Sequence, residues 1–526
     1  MSTRGQSPRL LLLGLLVLAL LVGLGESVVL KTRARRVKAS KDSRIVEHKD
    51  INVCDIEQEE TPLYCYCNDN KLASAEDVNC LIFNRLELAN PIWAHFNSQM
   101  YIRKLSFVVR NDGSFTYIPT ALLRQLKSLN TISFQHAKLD AIENQAFAAL
   151  PSISTINLSK NNINVLKWHS FESLRNLTVL NLDDNNIVEL NRDIFYDVPK
   201  LQKLFVNHNN VSTLHEKAFS HLPSLQELEL NNNKISTINP ASFQDLRMLE
   251  RLDLRNNQIA KLAERSFIEM PELQELDLDQ NRITSIANYA FDGLRSLKKL
   301  RLSENKLVQL EPDFLAGATS INLLDVRENE LRTITFDNIK PIVTNFYKNA
   351  SYLHLDGNKL VCDCKLTWIW GLRNETKNLK LREGLEELTC YLEAGYEPKF
   401  DNPGEDMHRA LEAVRNGFQF KSEDSYSSDN YEDDYSEDYG NPPVGHQTEM
   451  DGKTVYVKHL LDLKPDQLPC QSREDVMASE QPSGRREHGS SSSIFSFATG
   501  AAPGLHRQML ANALTICILA KAVLFT

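Results

Sequence analysis

Eight cysteines gathered in two clusters of four are the residues of this 526-residue chain best placed for covalent chemistry. Cys54, Cys65, Cys67 and Cys80 make the first cluster, Cys362, Cys364, Cys390 and Cys470 the second, and Cys517 stands apart near the C-terminus. Each cluster carries a Cys-x-Cys pair. Thiolates at that spacing can ligate a metal or close disulfides, and the compartment decides between them. The chain opens with Arg4 and Arg9, an apolar run from Leu10 to Leu24, and small residues at Gly23, Gly25 and Ser27, the pattern of a secretory signal peptide. In an oxidising compartment the clusters read as disulfide staples. Four cysteines allow three pairings, and spacing does not choose among them.

The remaining chemistry is modification rather than catalysis. Asn-x-Ser/Thr sequons stand at Asn157, Asn176, Asn210, Asn349 and Asn374. Tyr426, Tyr431, Tyr435 and Tyr439 lie among eight acidic residues between Glu423 and Tyr439, a setting for tyrosine sulfation or for an unmodified solvated spacer. No H-E-x-x-H, G-x-S-x-G, P-loop or G-x-G-x-x-G is found, and His136, His208 and His354 fall in separate repeats with no acidic triad beside them. The sequence therefore calls for no enzyme, no cofactor, no metal and no small-molecule substrate. A formal net charge of -10 and the lack of a basic domain exclude nucleic acid as a partner.

What positions these residues is a repeat. Segments opening at Leu129, Ile153, Leu177, Leu201, Leu225, Leu249, Leu273, Leu297 and Ile321 follow one another every 24 residues and read apolar-x-x-apolar-x-apolar-x-x-Asn-x-apolar, as in Leu225, Leu228, Leu230, Asn233 and Ile235. This is the leucine-rich repeat pattern. The fourth and sixth residues share one face of a short strand by period-two alternation, and the Asn turns the chain away. Phe147, Phe171, Phe195, Phe219, Phe243, Phe267 and Phe291 recur at the same period and predict a buried aromatic spine on the returning side. The Asn series from Asn161 to Asn329, with Asn358, predicts a buried ladder hydrogen-bonded to backbone. Degenerate coils beginning at Ile102 and Leu353 bring the total to eleven. The expected fold is an α/β leucine-rich repeat solenoid with a curved parallel β-sheet on the concave face, ~50 Å long, and an irregular or short-helical convex side. A solenoid needs closed ends, and the cysteine clusters stand at both.

Along the concave strands, Glu229, Arg251, Asp253, Arg255, Asp277, Asp279, Lys299 and Arg301 set acidic and basic patches in alternation. Two copies meeting antiparallel could place Asp277 and Asp279 against Lys299 and Arg301; the alternative is a solvated face.

The C-terminus is expected to carry a lipid. Met509 to Thr526 is an 18-residue apolar tail interrupted by Asn512 and Lys521, preceded by the polar spacer Pro503 to Gln508 and the small residues Thr499, Gly500, Ala501 and Ala502. That is a glycosylphosphatidylinositol attachment signal, with Gly500 as attachment residue and Ala501 as the alternative. Its removal takes Cys517 with it. The resulting division is 1–27 signal peptide; 28–53 linker, with Arg33-Ala34-Arg35-Arg36 as a convertase site or a basic linker; 54–100 N-terminal cap; 101–360 solenoid; 361–400 C-terminal cap; 401–470 acidic Tyr-rich insertion ending at Cys470; 471–500 flexible stalk; and 501–526 attachment propeptide.

The 24-residue coils, Cys54 to Cys80, Val361-Cys362-Asp363-Cys364 with Trp368 and Cys390, and the terminal lipid signal together resemble the cell-surface leucine-rich repeat adhesion proteins. Tyr64-Cys65-Tyr66-Cys67 and Pro91-Ile92-Trp93 look closest to an insect neural and muscle member, over most of Cys54 to Cys390. The resemblance implies cap pairings Cys54-Cys67, Cys65-Cys80, Cys362-Cys390 and Cys364-Cys470. It also implies a protein at the outer face of the plasma membrane that binds copies of itself on apposed cells, with roles in axon guidance and target recognition. The competing expectations are a heterophilic receptor or co-receptor for a secreted ligand, and a secreted matrix protein.

Overall fold

The computed structural model describes residues 51–56, 61–395 and 444–469. Arg36, the four acid-flanked tyrosines, Cys470, Gly500, Ala501 and Cys517 lie outside the described residues. Thirteen strands form the main sheet in chain order: β1 (Leu63–Cys67), β2 (Asp77–Ile82), β3 (Lys104–Val109), β4 (Thr131–Gln135), β5 (Thr155–Asn157), β6 (Val179–Asn181), β7 (Lys203–Phe205), β8 (Glu227–Glu229), β9 (Arg251–Asp253), β10 (Glu275–Asp277), β11 (Lys299–Arg301), β12 (Leu323–Asp325) and β13 (Tyr352–His354). Only β1 runs antiparallel to its neighbour; from β2 onward each pair is parallel, and where the 24-residue spacing holds the register is fixed, as in Leu228↔Leu252↔Leu276↔Leu300.

The register follows from the pattern. Leu225, Leu228, Leu230 and Ile235 of one coil are buried to within 1% and stack on their equivalents above and below, so truncating one such leucine to alanine costs about 2–5 kcal/mol. The ninth-position Asn closes each coil: Asn233 Nδ2 donates to the carbonyls of Val206, Leu230 and Asn231, and its Oδ1 accepts from the Val211 amide. Phe147, Phe171, Phe195, Phe219, Phe243, Phe267 and Phe291 are fully buried on the returning limb, where Phe147 and Phe171 stack at 5.5 Å and Phe267 and Phe291 at 5.9 Å. The returning limb is mostly turns, with a few two-residue strands such as Phe171–Glu172 and Phe195–Tyr196.

Both ends are closed by disulfides. Cys54 is bonded to Cys67 and Cys65 to Cys80 at the first end, Cys362 to Cys390 at the second. At the N-terminal cap, buried Gln99 ties three segments together, donating to Asn52 Oδ1 and the Lys71 carbonyl and accepting from the amides of Ser74 and Ala75. At the other end α1 (Trp368–Glu375) and α2 (Leu379–Glu386) cover the last coil, and Trp368 Nε1 donates to the Ile334 carbonyl at 2.9 Å.

The C-terminal cap does not stop near residue 400. Strand β14 (Thr389–Glu393) pairs with β16 (Lys453–His459), which pairs in turn with β15 (Gln447–Met450), both antiparallel. Residues 444–469, read from sequence as the end of an acidic linker, are therefore part of the cap. The cause is apolar alternation: Val455 and Val457 are buried, and Leu460, Leu463 and Leu468 join the core. Arg332 of the solenoid clamps the hairpin through both guanidinium ends to Asp451.

Candidate recognition surface

The strand face is ordered in columns. Third positions carry Thr131, Thr155, Val179, Lys203, Glu227, Arg251, Glu275 and Lys299; fifth positions carry Ser133, Asn157, Asn181, Phe205, Glu229, Asp253, Asp277, Arg301 and Asp325. The first coils are thus neutral and the later ones charged, a division more marked than simple alternation of patches. In the third column the charges pair across strands: Lys203 Nζ reaches Glu227 at 2.7 Å, Arg251 Nε reaches Glu227 at 4.0 Å, and Lys299 Nζ reaches Glu275 at 3.5 Å. These pairs are partly exposed, so each contributes at most about 1 kcal/mol. Their effect is to hold long side chains in fixed order.

Beneath that ladder the acids are withdrawn from water. Asp253 is 3% exposed, held by Asn231 Nδ2 at 2.9 Å and the Arg255 amide at 3.0 Å. Glu229 accepts from Asn207 Nδ2 at 2.7 Å, and burial raises its pKa. Burial, then the neighbouring Asp253, pushes Asp277 up to about 6; burial, then Asp277, pushes Asp279 up to about 8. Asp279 accepts from the Ser303 amide at 2.6 Å, a bond that opposes the rise. Arg301 stands in register with Asp277 on the adjacent strand. Six of the eight predicted face residues are therefore brought onto four neighbouring strands, with Arg255 and Asp279 just beyond the ends of β9 and β10, but the acids engage their own chain and the exposed charges are chiefly Arg251 and Lys299. The columns could have revealed this: a third-position Lys-Glu-Arg-Glu-Lys series reads directly as cross-strand pairs.

The sequons are spread differently. Asn157 sits on β5, half-buried, with its Oδ1 accepting from the Ser159 amide; Asn176 Nδ2 donates to the Pro151 carbonyl. Asn210 is half-buried beside Asn186, whereas Asn349 and Asn374 are exposed. Among the described residues no group of three or more His, Cys, Asp or Glu could hold a metal ion, and no helix is long and apolar enough to cross a membrane.

A family profile described as Leucine rich repeat matches residues 153–211, 199–259, 248–307 and 271–331. Residues 153–331 carry leucine-rich repeats, and the fold is a leucine-rich repeat solenoid. The chain is similar to Connectin of Drosophila melanogaster, 43% identical over 72 residues, a match that spans 14% of this chain and 10% of that protein. The repeat protein also aligns with a solved octameric complex of Latrophilin 3, Unc5D and FLRT2 (LRR), at 21% identity and TM-score 0.46 over 62% of this chain and 89% of that one. A Toll–Spatzle complex from Drosophila aligns at 20% identity and TM-score 0.41 over 58% and 44%. Disulfides at both ends of the repeat array are the mark of a chain that folds in an oxidising compartment.

Proposed function

We propose that this repeat protein is held at the outer face of the plasma membrane by a glycosylphosphatidylinositol at Gly500 and binds copies of itself on apposed cells, as in nerve and muscle contacts. The observation that carries the reading is the charge order on β7 to β11, where exposed cations stand in fixed sequence over half-buried carboxylates. A surface carrying both signs in fixed order can meet a second copy about a two-fold axis that sets Lys299 and Arg301 of one toward Asp277 and Asp279 of the other, where the facing cations favour the ionised carboxylates against the burial that raises their pKa. Weak single contacts suffice, because arrays on facing membranes engage multivalently. The similarity to Connectin over 72 residues supports the same reading.

The decisive experiment mixes cells expressing the chain with labelled cells that do not. Clumps confined to expressing cells support self-binding, and Lys299→Glu with Arg301→Glu should abolish them until facing cells carry Asp277→Lys with Asp279→Lys. Clumps that recruit the labelled cells point to a heterophilic receptor instead. Release by phosphatidylinositol-specific phospholipase C tests the anchor. The same reading includes glycans at Asn157, Asn176, Asn210, Asn349 and Asn374, sulfate on Tyr426, Tyr431, Tyr435 and Tyr439, and a fourth cap disulfide. Cys364 is disulfide-bonded and its amide donates to the Pro469 carbonyl at 3.3 Å, which favours Cys470, the next residue, as its partner.

A further inference from the structure

On the returning limb of the repeats opening at Ile153, Leu177 and Leu201, four rings make a continuous chain. Trp168 meets His169 edge-on with ring centres 5.0 Å apart, His169 lies nearly parallel to Tyr196 at 4.6 Å, and Tyr196 meets His221 at 5.2 Å. Trp168 is 59% exposed and Tyr196 42%, while Phe171 and Phe195 of the same limb are fully buried. The seam lies at the end of a three-stranded sheet in which Phe147–Ala148, Phe171–Glu172 and Phe195–Tyr196 pair in parallel; among the described residues no strand extends it past Tyr196.

Glu172 adjoins the rings. Its Oε2 is shielded from solvent and makes no hydrogen bond among the described residues, and the ion-pair contact it has is His169 Nδ1 at 3.5 Å. Basic side chains of the same limb are engaged elsewhere: Lys167 with Glu143 at 2.6 Å, Arg175 with Asp197 at 3.3 Å and Arg192 with Asp193 at 3.4 Å. Partly exposed rings beside a partly exposed carboxylate, whose ion-pair contact is a histidine, suit a guanidinium, which the rings attract at close range and the carboxylate through the low-dielectric surface beside them.

We propose that this seam is a second docking surface, on the limb opposite the strand face, and that its occupant is an arginine-bearing segment of a partner protein. Fluorescein-labelled tetra-arginine titrated into the purified full-length chain, followed by fluorescence polarisation, tests it. Trp168→Ala combined with Tyr196→Ala should weaken binding about tenfold, and Glu172→Gln about threefold. Asp277→Asn with Asp279→Asn should leave it unchanged, which separates this site from the strand face. Neither aromatic side chain belongs to the buried core, so folding is retained, and an unaltered melting curve verifies it. Wild-type affinity in the ring variant overturns the proposal, as happens if the acidic stretch 423–439 holds the peptide. Self-association that is lost in the ring variant, with no tetra-arginine binding by the wild type, overturns it in favour of a second copy as occupant.

Discussion

Replacing Asn257 by aspartate changes the side chain hardly at all in size yet removes its only donor group. Nδ2 of Asn257 donates to the carbonyls of Leu230, Leu254 and Arg255 at 3.0, 3.0 and 3.2 Å, and Oδ1 accepts from the Ile235 amide at 3.0 Å. The residue is 5% exposed. In Asn257→Asp one carboxylate oxygen still holds the Ile235 amide, but the other faces three carbonyl oxygens with no proton between them. Losing those bonds and burying the charge costs on the order of 3–5 kcal/mol near neutral pH. The carboxyl relieves part of this by taking up a proton, so its folded pKa lies above the unfolded value of about 3.9. Stability contributed by the protonated form is present at low pH and lost as pH rises, so the deficit should be smaller at pH 4 than at pH 7.5. Asn257→Ala, which leaves the Ile235 amide unpaired, should lose about 2–4 kcal/mol with no such pH dependence. Guanidinium denaturation with disulfides intact measures both, and hydrogen exchange at Ile235 should accelerate by more than the loss of global stability accounts for only in the alanine variant. An Asn257→Asp protein within about 1 kcal/mol of wild type at pH 7.5 would refute the ladder as a source of stability.

On the strand face, Asp277 and Asp279 have folded pKa values raised to about 6 and about 8 from 3.8, so the native state holds protons that the unfolded chain releases between roughly pH 4 and 8. Their burial therefore costs stability as pH rises through that window; Asp279→Asn, which keeps an acceptor for the Ser303 amide, should raise the melting temperature at pH 8 and progressively less toward pH 4. A gain that does not grow with pH contradicts this. At Lys160, whose φ is +63°, valine should cost about 1–3 kcal/mol, whereas glycine should change stability by under about 1 kcal/mol; denaturant midpoints decide, and equal stability of the two variants would remove the backbone argument. Arg332→Ala frees an exposed clamp on the cap hairpin, so hydrogen exchange in Gln447–His459 should quicken while global stability falls by no more than about 1 kcal/mol. Unchanged exchange there would mean that Asp451 does not hold the hairpin.

The repeat was legible because each recurring residue type has one mechanical job: leucines at the first, fourth and sixth positions fill the core, and asparagine closes the coil. The eighth position has a job too, but no residue type marks it. His136, Lys160, Asp184, His208, Asn232, Asn256, Gln280, Glu304 and Glu328 all turn with positive φ, and only the Asn and Asp members hint at it. The charged face was legible as composition, and its cross-strand pairing was legible too once the third positions of successive repeats, Lys203, Glu227, Arg251, Glu275 and Lys299, are set side by side. The cap hairpin was missed because it follows a long acidic run, yet Asp451-Gly452, both at positive φ, followed by the alternating Lys453 to Val457, is a strong two-residue hairpin signal. The aromatic seam was invisible to periodicity: Trp168, Tyr196 and His221 occupy different positions of their repeats and meet only when the coils stack.

The discontinuous sheet of the C-terminal cap decides where extra length goes. The chain departs after Glu393, which pairs with Val455, and returns at Gln447, which pairs with the adjacent Tyr456 on the other edge of β16, so exit and re-entry lie only about 10 Å apart. The ends of any segment spliced between residues 395 and 444 are therefore fixed at neighbouring points of one three-stranded sheet. A longer or bulkier insert there, a fluorescent reporter for instance, would enter and leave between the same two strands and need not part the pairing of Glu393 with Val455 or of Gln447 with Tyr456.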